Sequence, residues 1–212
     1  MKCAATHVFD LDGTLSDPSV GIARSLNHAL AWFGYPPLHE REVSKFIGPP
    51  LDEAFRTIVG PVGDARVVDL VTKYRERYAD FGYAENVMYP GIAEALCDLT
   101  DRDAVLGVCT SKRADFADRI LRRFGIRERF AFVSGGDIGV TKADQLACLV
   151  RERCADESAI MVGDRAVDIA AAKVNGLAAA GVLWGFGSAE ELRAAAPEFL
   201  VASPAELCEV LP

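Results

Sequence analysis

Asp10 and Asp12 stand two residues apart at the end of a short apolar run, within Val8-Phe9-Asp10-Leu11-Asp12-Gly13-Thr14-Leu15. In an extended chain, residues i and i+2 face the same side. The two carboxylates would therefore converge where a strand ends and the Gly13 turn begins. Like charges this close raise each other's proton affinity unless something positive separates them, and a hard divalent cation with oxygen ligands does so. A solvated Asp-Gly turn is the plain alternative, since both are ordinary turn residues. What decides between the two is what other segments bring to the same place.

Three further segments carry matching chemistry. Thr110, Ser111 and Lys112 follow the apolar run 104–109. Gly163, Asp164 and Arg165 follow the run 158–162, with Asp168 one helical turn on. Ser134-Gly135-Gly136-Asp137 follows the run 130–133, with Lys142 at the start of the next helix. In open parallel sheets, ligands bind beyond the carboxyl ends of the strands, which is where all of these residues would lie. Each also has a structural reading: Thr110, Ser111 and Asp164 suit helix N-caps, and Asp168 suits a first helical turn. Lys142 does not fit that pattern, because a cation in the first turn faces the positive end of the helix dipole and calls for an anion nearby. Taken together, neighbouring carboxylates bind Mg²⁺ through oxygen, and a lysine with a hydroxyl binds phosphate oxygens. A carboxylate beside both can attack phosphorus and form an aspartyl-phosphate. The set points to phosphoryl transfer, in which catalysis is mainly positioning and charge neutralisation.

The elements that must position these residues alternate along most of the chain. Residues 4–9, 104–109, 130–133, 158–162, 177–183 and 199–201 read as strands. Residues 92–99, 113–124, 141–153, 165–175 and 205–211 read as helices, with a shorter one after Ser188-x-x-Glu191. Thr141-x-x-Asp144 has the form of a capping box, and Gly125 takes the usual place just past a helix end. Such alternation predicts βαβ units and a parallel sheet. It stops between Asp17 and about Asn86. There Ala23, Leu26, Leu30 and Phe33 mark one face of an amphipathic helix, and short helices at 41–46 and 51–59 flank the rigid kink Gly48-Pro49-Pro50. Asp64 is placed to cap a long helix reaching about Tyr83, with Val67, Leu70, Val71, Tyr74 and Tyr78 on its apolar side. The expected fold class is α/β: a parallel-sheet core in two sequence pieces, residues 1–16 and 87–212, interrupted by a helical insertion at 17–86.

Composition narrows the function classes. With 23 Lys and Arg against 31 Asp and Glu, the chain carries a net charge of −8, which argues against a nucleic-acid polymer as partner. An anionic substrate would need local positive charge. The six cysteines, Cys3, Cys97, Cys109, Cys148, Cys154 and Cys208, include no Cys-x-x-Cys pair, so zinc and redox motifs are not expected. Lying mostly in apolar runs, they read as reduced core residues. Met1-Lys2-Cys3 lacks the apolar region of a signal peptide, and no uncharged stretch is long enough to cross a bilayer. A cytoplasmic protein without membrane association is the expectation.

These motifs resemble the haloacid dehalogenase (HAD) superfamily, in order: Asp10-Leu11-Asp12-Gly13-Thr14, then Thr110-Ser111-Lys112, then Lys142, then Gly163-Asp164-Arg165-Ala166-Val167-Asp168. The resemblance covers essentially the whole chain and implies a Rossmann-like, HAD-like core with an inserted helical C1 cap. Phe46-Ile47-Gly48-Pro49-Pro50-Leu51 and Gly181-Val182-Leu183-Trp184-Gly185, with Gly187-Ser188 and Glu190-Glu191-Leu192, look like the phosphoglycolate-phosphatase-like branch. By resemblance, Asp10 is the nucleophile and Asp12 the acid and base. Mg²⁺ is held by the Asp10 carboxylate, the Asp12 backbone carbonyl and Asp164, with Asp168 in support. Thr110, Ser111 and Lys142 bind the phosphoryl group. Asp12 argues for a phosphatase over a dehalogenase, which lacks that acid. One departure stands out: Ala143 follows Lys142 where the family often has proline; Lys112 is a spare cation that fits a variable position of motif two. The implied substrate is a small phosphorylated metabolite, with phosphoglycolate first and a nucleoside 5′-monophosphate second. A phosphomutase and a non-catalytic phosphate-binding protein are the alternatives. A lone receiver domain is disfavoured by the length of the chain and by the insertion after the first strand.

Overall fold

The computed structural model describes residues 5–137 and 139–211. In chain order the elements are β1 (Thr6–Phe9), β2 (Ser16–Asp17), α1 (Ser19–Trp32), α2 (Glu40–Val43), α3 (Leu51–Val59), α4 (Asp64–Asp80), β3 (Val87–Met88) and α5 (Ile92–Asp101). There follow β4 (Val105–Thr110), α6 (Ala114–Arg123), β5 (Phe130–Gly135), α7 (Lys142–Arg151) and β6 (Ile160–Gly163). The chain closes with α8 (Ala166–Val174), β7 (Ala178–Val182), α9 (Ala189–Ala195), β8 (Phe199–Val201) and α10 (Leu207–Val210). Ala4, at the expected start of the first strand, lies outside the described residues, as do Met1, Lys2 and Cys3.

Six strands form one parallel sheet in the order β5-β4-β1-β6-β7-β8. Because successive strand residues point to opposite faces, Val8 and Phe9 enter separate apolar clusters. One face packs against Ile92, Leu96 and Leu99 of α5, Ile120 and Leu121 of α6, and Leu207 of α10. The other packs against Leu146 of α7, Ile169 and Ala172 of α8, and Leu192 of α9. A parallel sheet needs cover on both faces, and this three-layer arrangement provides it. β1 lies between β4 and β6, where the chain's excursions to the two halves of the sheet diverge, and so its carboxyl end opens on a crevice between neighbouring connections.

The insertion has an apolar cluster of its own. Leu26 and Leu30 of α1, Phe55 of α3, and Leu70, Tyr74 and Tyr78 of α4 pack together, and Phe116 of α6 reaches in from the core. α3 has the expected bounds, but α4 is shorter than expected. It ends at Asp80, after which Gly82–Glu85 forms a 3₁₀ turn. A Cβ at Gly82 would collide with the Tyr78 ring and the Ser25 hydroxyl, so the chain passes too close for a larger residue. Asp64 is the first residue of α4 and not its cap, a place taken by Gly63. The all-helical reading of 17–86 misses β2, which pairs antiparallel with β3 where the insertion leaves and rejoins the core. The expectation of core cysteines fits two of the five described. Cys109 and Cys208 are buried, whereas Cys97, Cys148 and Cys154 are half-buried on or after helices, and all five are free thiols.

Candidate active site

The strand ends deliver the site. Asp10 follows β1, Thr110 ends β4, Asp164 follows β6, and Lys142 opens α7 after the β5 loop. All four are buried, as are Asp12 and Asp168. Lys142 is fixed by the capping box that the sequence signals: the Thr141 hydroxyl accepts from the Asp144 N–H, and the Asp144 side chain accepts from the Thr141 N–H. That geometry aims a buried ammonium at Asp10 Oδ2, 3.0 Å away, and at Asp168 Oδ1. Burial alone would lower the Lys142 pKa, but the Asp10 and Asp168 carboxylates outweigh it and hold the ammonium above the usual lysine range. The anion that the helix dipole calls for is therefore supplied by the protein's own carboxylates.

Asp164 is not the helix cap its type allowed, since Arg165 holds the cap position of α8. The Asp164 carboxylate accepts from the Thr14 hydroxyl at 3.2 Å and from the Phe186 N–H at 2.8 Å. Burial, then Asp168 and Asp10, push its pKa up to about 7. Asp168 accepts from the Arg165 N–H at 3.0 Å and from Lys142, so both its oxygens are engaged. Burial raises its pKa to about 6 against the opposing Lys142 charge. Asp10, by contrast, keeps Oδ1 buried and without a hydrogen-bond partner. Asp10, Asp164 and Asp168 offer oxygens that all lie within 4.8 Å of one another. This is a hard-oxygen set of the kind that holds Mg²⁺. Asp10 Oδ1 is the acceptor a cation or a phosphorus atom would meet.

The site has close neighbours. Gly13 has φ +87°, and a Cβ there would fall on the Asp164 carboxylate; a Cβ at Gly185 would meet both Asp164 and the Gly13 carbonyl. Trp184 Nε1 donates to the Thr14 carbonyl at 2.9 Å, locking the loop after β7 onto the loop after β1. Thr110 is held through its backbone: its carbonyl accepts from Gln145 Nε2 at 3.1 Å and from the Gly136 N–H at 2.8 Å. Its hydroxyl accepts from the Lys112 N–H at 3.3 Å. Neither Thr110 nor Ser111 caps α6, whose cap position is Arg113.

One residue goes against expectation. Lys112, read as a variable position, sends its ammonium to Asp12 Oδ2 at 2.6 Å. Burial raises the Asp12 pKa even with Lys112 opposing it, so Asp12 takes up a proton more readily than an exposed carboxyl would. The same ammonium donates to the Tyr78 hydroxyl at 2.8 Å. Tyr78 belongs to α4, and the sequence marked it only as an apolar-face residue; its hydroxyl was the one unused signal. The open side of the site is a cleft between core and insertion, lined by Asp10, Asp12, Thr110, Ser111 and Lys112 below and by Gly48, Pro49 and Pro50 above. The Pro-Pro kink thus faces the site. Arg165 Nη1 anchors it by donating to the Ile47 carbonyl at 2.8 Å.

Known proteins resemble this chain along most of its length. A 5′-nucleotidase of Pseudomonas aeruginosa is 40% identical over 209 residues, covering 96% of this chain and 94% of its own. Tyrosine-protein kinase PtkA of Mycobacterium tuberculosis is 37% identical over 188 residues, 86% of this chain but 63% of that protein. A crystal structure described as a predicted phosphatase from Clostridium acetobutylicum superposes with a TM-score of 0.92 at 32% identity, covering 98% of both chains. The family model for haloacid dehalogenase-like hydrolases matches residues 7–182. A match over that span, ending with β7 and including every residue of the cluster around Asp10, shows that the chain belongs to the haloacid dehalogenase-like hydrolase family.

Proposed function

We propose that the protein is a Mg²⁺-dependent phosphatase that hydrolyses a small phosphomonoester through an aspartyl-phosphate on Asp10. The observation that carries this reading is the asymmetry of Asp10. One of its oxygens is tied to Lys142 and the other is buried without a partner at the floor of the cleft. A carboxylate held this way is aimed as a nucleophile, and the ammonium beside it neutralises charge on a transferring phosphoryl group. Asp10 Oδ1 attacks phosphorus, the bond to the leaving oxygen breaks, and Asp12 supplies the proton to that oxygen. Asp12 then takes a proton from water as the water attacks the aspartyl-phosphate, and Asp10 and phosphate are released. Lys142, Thr110 and Ser111 would hold the phosphoryl oxygens.

The donor set fits a divalent cation. Asp10 and Asp164 would hold it, with the Asp12 backbone carbonyl, while Asp168, whose Oδ1 is paired with the Lys142 ammonium and whose Oδ2 accepts from the Arg165 N–H, orients Lys142 instead. A bound Mg²⁺ supplies charge neutralisation and orientation of phosphate oxygens. The substrate is a small phosphorylated metabolite. Phosphoglycolate follows from the sequence resemblance, and a nucleoside 5′-monophosphate from the 40% identity to a 5′-nucleotidase. Both belong in a panel of phosphomonoesters assayed with Mg²⁺ and with chelator. The expected outcome is phosphate release from at least one member, abolished by chelation and reduced at least about 10³-fold in Asp10→Asn, with the circular dichroism spectrum unchanged. Full activity of Asp10→Asn would overturn the reading. Transfer to a sugar or a protein hydroxyl, with no release to water, would replace it with a mutase or kinase activity.

A further inference from the structure

Asp12 does not stand alone beneath the cleft. Lys112, whose side chain is 7% exposed, holds Asp12 Oδ2 at 2.6 Å. Asp12 Oδ1 is left buried and unpartnered. The Lys112 ammonium also donates to the Tyr78 hydroxyl at 2.8 Å and lies 4.7 Å from the centre of the Tyr78 ring. Tyr78 in turn accepts from Asn86 Nδ2 at 3.1 Å, and Asn86 Oδ1 accepts from the Ser16 hydroxyl at 3.1 Å. Ser16 lies on β2 and Asn86 directly precedes β3, the two-stranded ribbon through which the insertion joins the core. A single chain of buried contacts therefore runs from Asp12, through a core lysine and an insertion tyrosine, to the ribbon itself. Tyr78 is fixed independently by stacking on Tyr74 at 5.4 Å and by edge contact with Phe116 at 5.1 Å.

We propose that Lys112 is a positioning residue for Asp12, and that the chain Lys112–Tyr78–Asn86–Ser16 sets the orientation of Asp12 by the docking of the helical insertion. The proposal rests on the assignment of Asp10 and Asp12 given above. A carboxylate at the mouth of a cleft samples several rotamers unless one oxygen is pinned. Lys112 pins Oδ2 and leaves Oδ1 to face the leaving oxygen. Tyr78 holds the ammonium from the side of the insertion, so Asp12 is aligned only while α4 sits over the site. Proton delivery is thereby tied to a covered site, where water competes least.

The test is leaving-group dependence. Proton delivery by Asp12 matters for a poor leaving group and little for p-nitrophenolate, which departs unprotonated. Since kcat/KM reports the steps through phosphoenzyme formation, it is measured for phenyl phosphate and p-nitrophenyl phosphate in wild type, Lys112→Met, Tyr78→Phe and the double variant. The expected result is a loss of about tenfold or more in Lys112→Met on phenyl phosphate, with a clearly smaller loss on p-nitrophenyl phosphate. Tyr78→Phe, which removes one hydroxyl and keeps the ring, should shift the ratio the same way. The double variant should be no worse than Lys112→Met, because the two residues act in series. Equal losses on both substrates, or additive losses in the double variant, would overturn the positioning role while leaving the phosphatase reading intact. Should Lys112→Met fail to fold, the substrate ratio in Tyr78→Phe decides alone. Wild-type hydrolysis that persists in Asp10→Asn would overturn the phosphatase reading and this proposal with it.

Discussion

Asp164 shows how far burial can move a single carboxyl. It is fully buried, accepts two hydrogen bonds, and has Asp168 and Asp10 as neighbours. Burial and these neighbours push its pKa up to about 7, so a proton occupies the group across the acidic range. A cation must displace that proton, because a metal ligand binds as the carboxylate. The folded pKa is raised, so Mg²⁺ affinity is expected to level off above pH 7 and to weaken below it, by about tenfold per pH unit while one proton is displaced. Isothermal titration of Mg²⁺ at pH 8, 7 and 6 in buffers of different ionisation enthalpy would show both the falling affinity and the released proton. A pH-independent affinity without proton release would rule this out.

At the scale of elements, the site depends on two loops meeting. The turn between β1 and β2 and the loop after β7 both close on Asp164, with Gly13 and Gly185 at the points of contact. Gly13 has φ +87°, a conformation that costs an L-residue roughly 1–3 kcal/mol, and its missing side chain leaves the space that the Asp164 carboxylate fills. Gly13→Ala should lower stability by about that amount and also weaken Mg²⁺ binding, because Asp164 must shift. Urea unfolding and metal titration on the same preparation would separate the two effects. Unchanged values in both would mean that the turn does not shape the site. The insertion is tied to the core independently of this turn. Arg165 reaches from the start of α8 to the Ile47 carbonyl and to Glu191 at 2.9 Å, and Arg75 of α4 pairs with Asp137 at 2.8 Å.

At the scale of the whole molecule, His7 is a buried basic group that stands outside the cluster around Asp10. His7 lies on β1 between its register partners Leu106 and Ile160, and neither ring nitrogen has a hydrogen-bond partner. Burial lowers its pKa from 6.5 to about 4. Above pH 6.5 it is neutral in both folded and unfolded chains. Between about 6.5 and 4 only the unfolded chain takes up the proton, so stability is lost as pH falls through that window, by on the order of 3 kcal/mol in all. His7→Leu removes both the proton site and two unsatisfied nitrogens. It should raise stability at pH 7 by about 1–3 kcal/mol and flatten the decline toward pH 5. Urea midpoints of both proteins at pH 7.5 and 5 provide the comparison, and parallel declines would mean that other groups set the acid limit. Among the described residues, no helix is long and apolar enough to cross a membrane.

The sequence by itself determined what local periodicity and capping chemistry control. Apolar runs bounded by glycines and caps marked the strands of the parallel sheet. Thr141 and Asp144 marked the start of the helix that carries Lys142, and Asp10, Asp164 and Lys142 announced themselves as polar groups at strand ends. The ribbon of β2 and β3 was not legible, because two-residue strands have no period to read. The pairing of Lys112 with Asp12 and Tyr78 was not legible either. Its meaning depends on residues 12 and 78 arriving at one ammonium, and no local signal encodes a meeting of three segments that distant in the chain. Tertiary structure also shows how the surroundings of the four acids differ. Asp10, Asp12, Asp164 and Asp168 are the same residue type, and what separates them is how each is buried and what it touches. Asp10 keeps a free oxygen, Asp12 is pinned by Lys112, Asp164 lies between two loops, and Asp168 is saturated by Lys142 and Arg165. Spacing can bring carboxylates to one rim, but their division of labour comes from desolvation and partner charge, which exist only once the chain has folded.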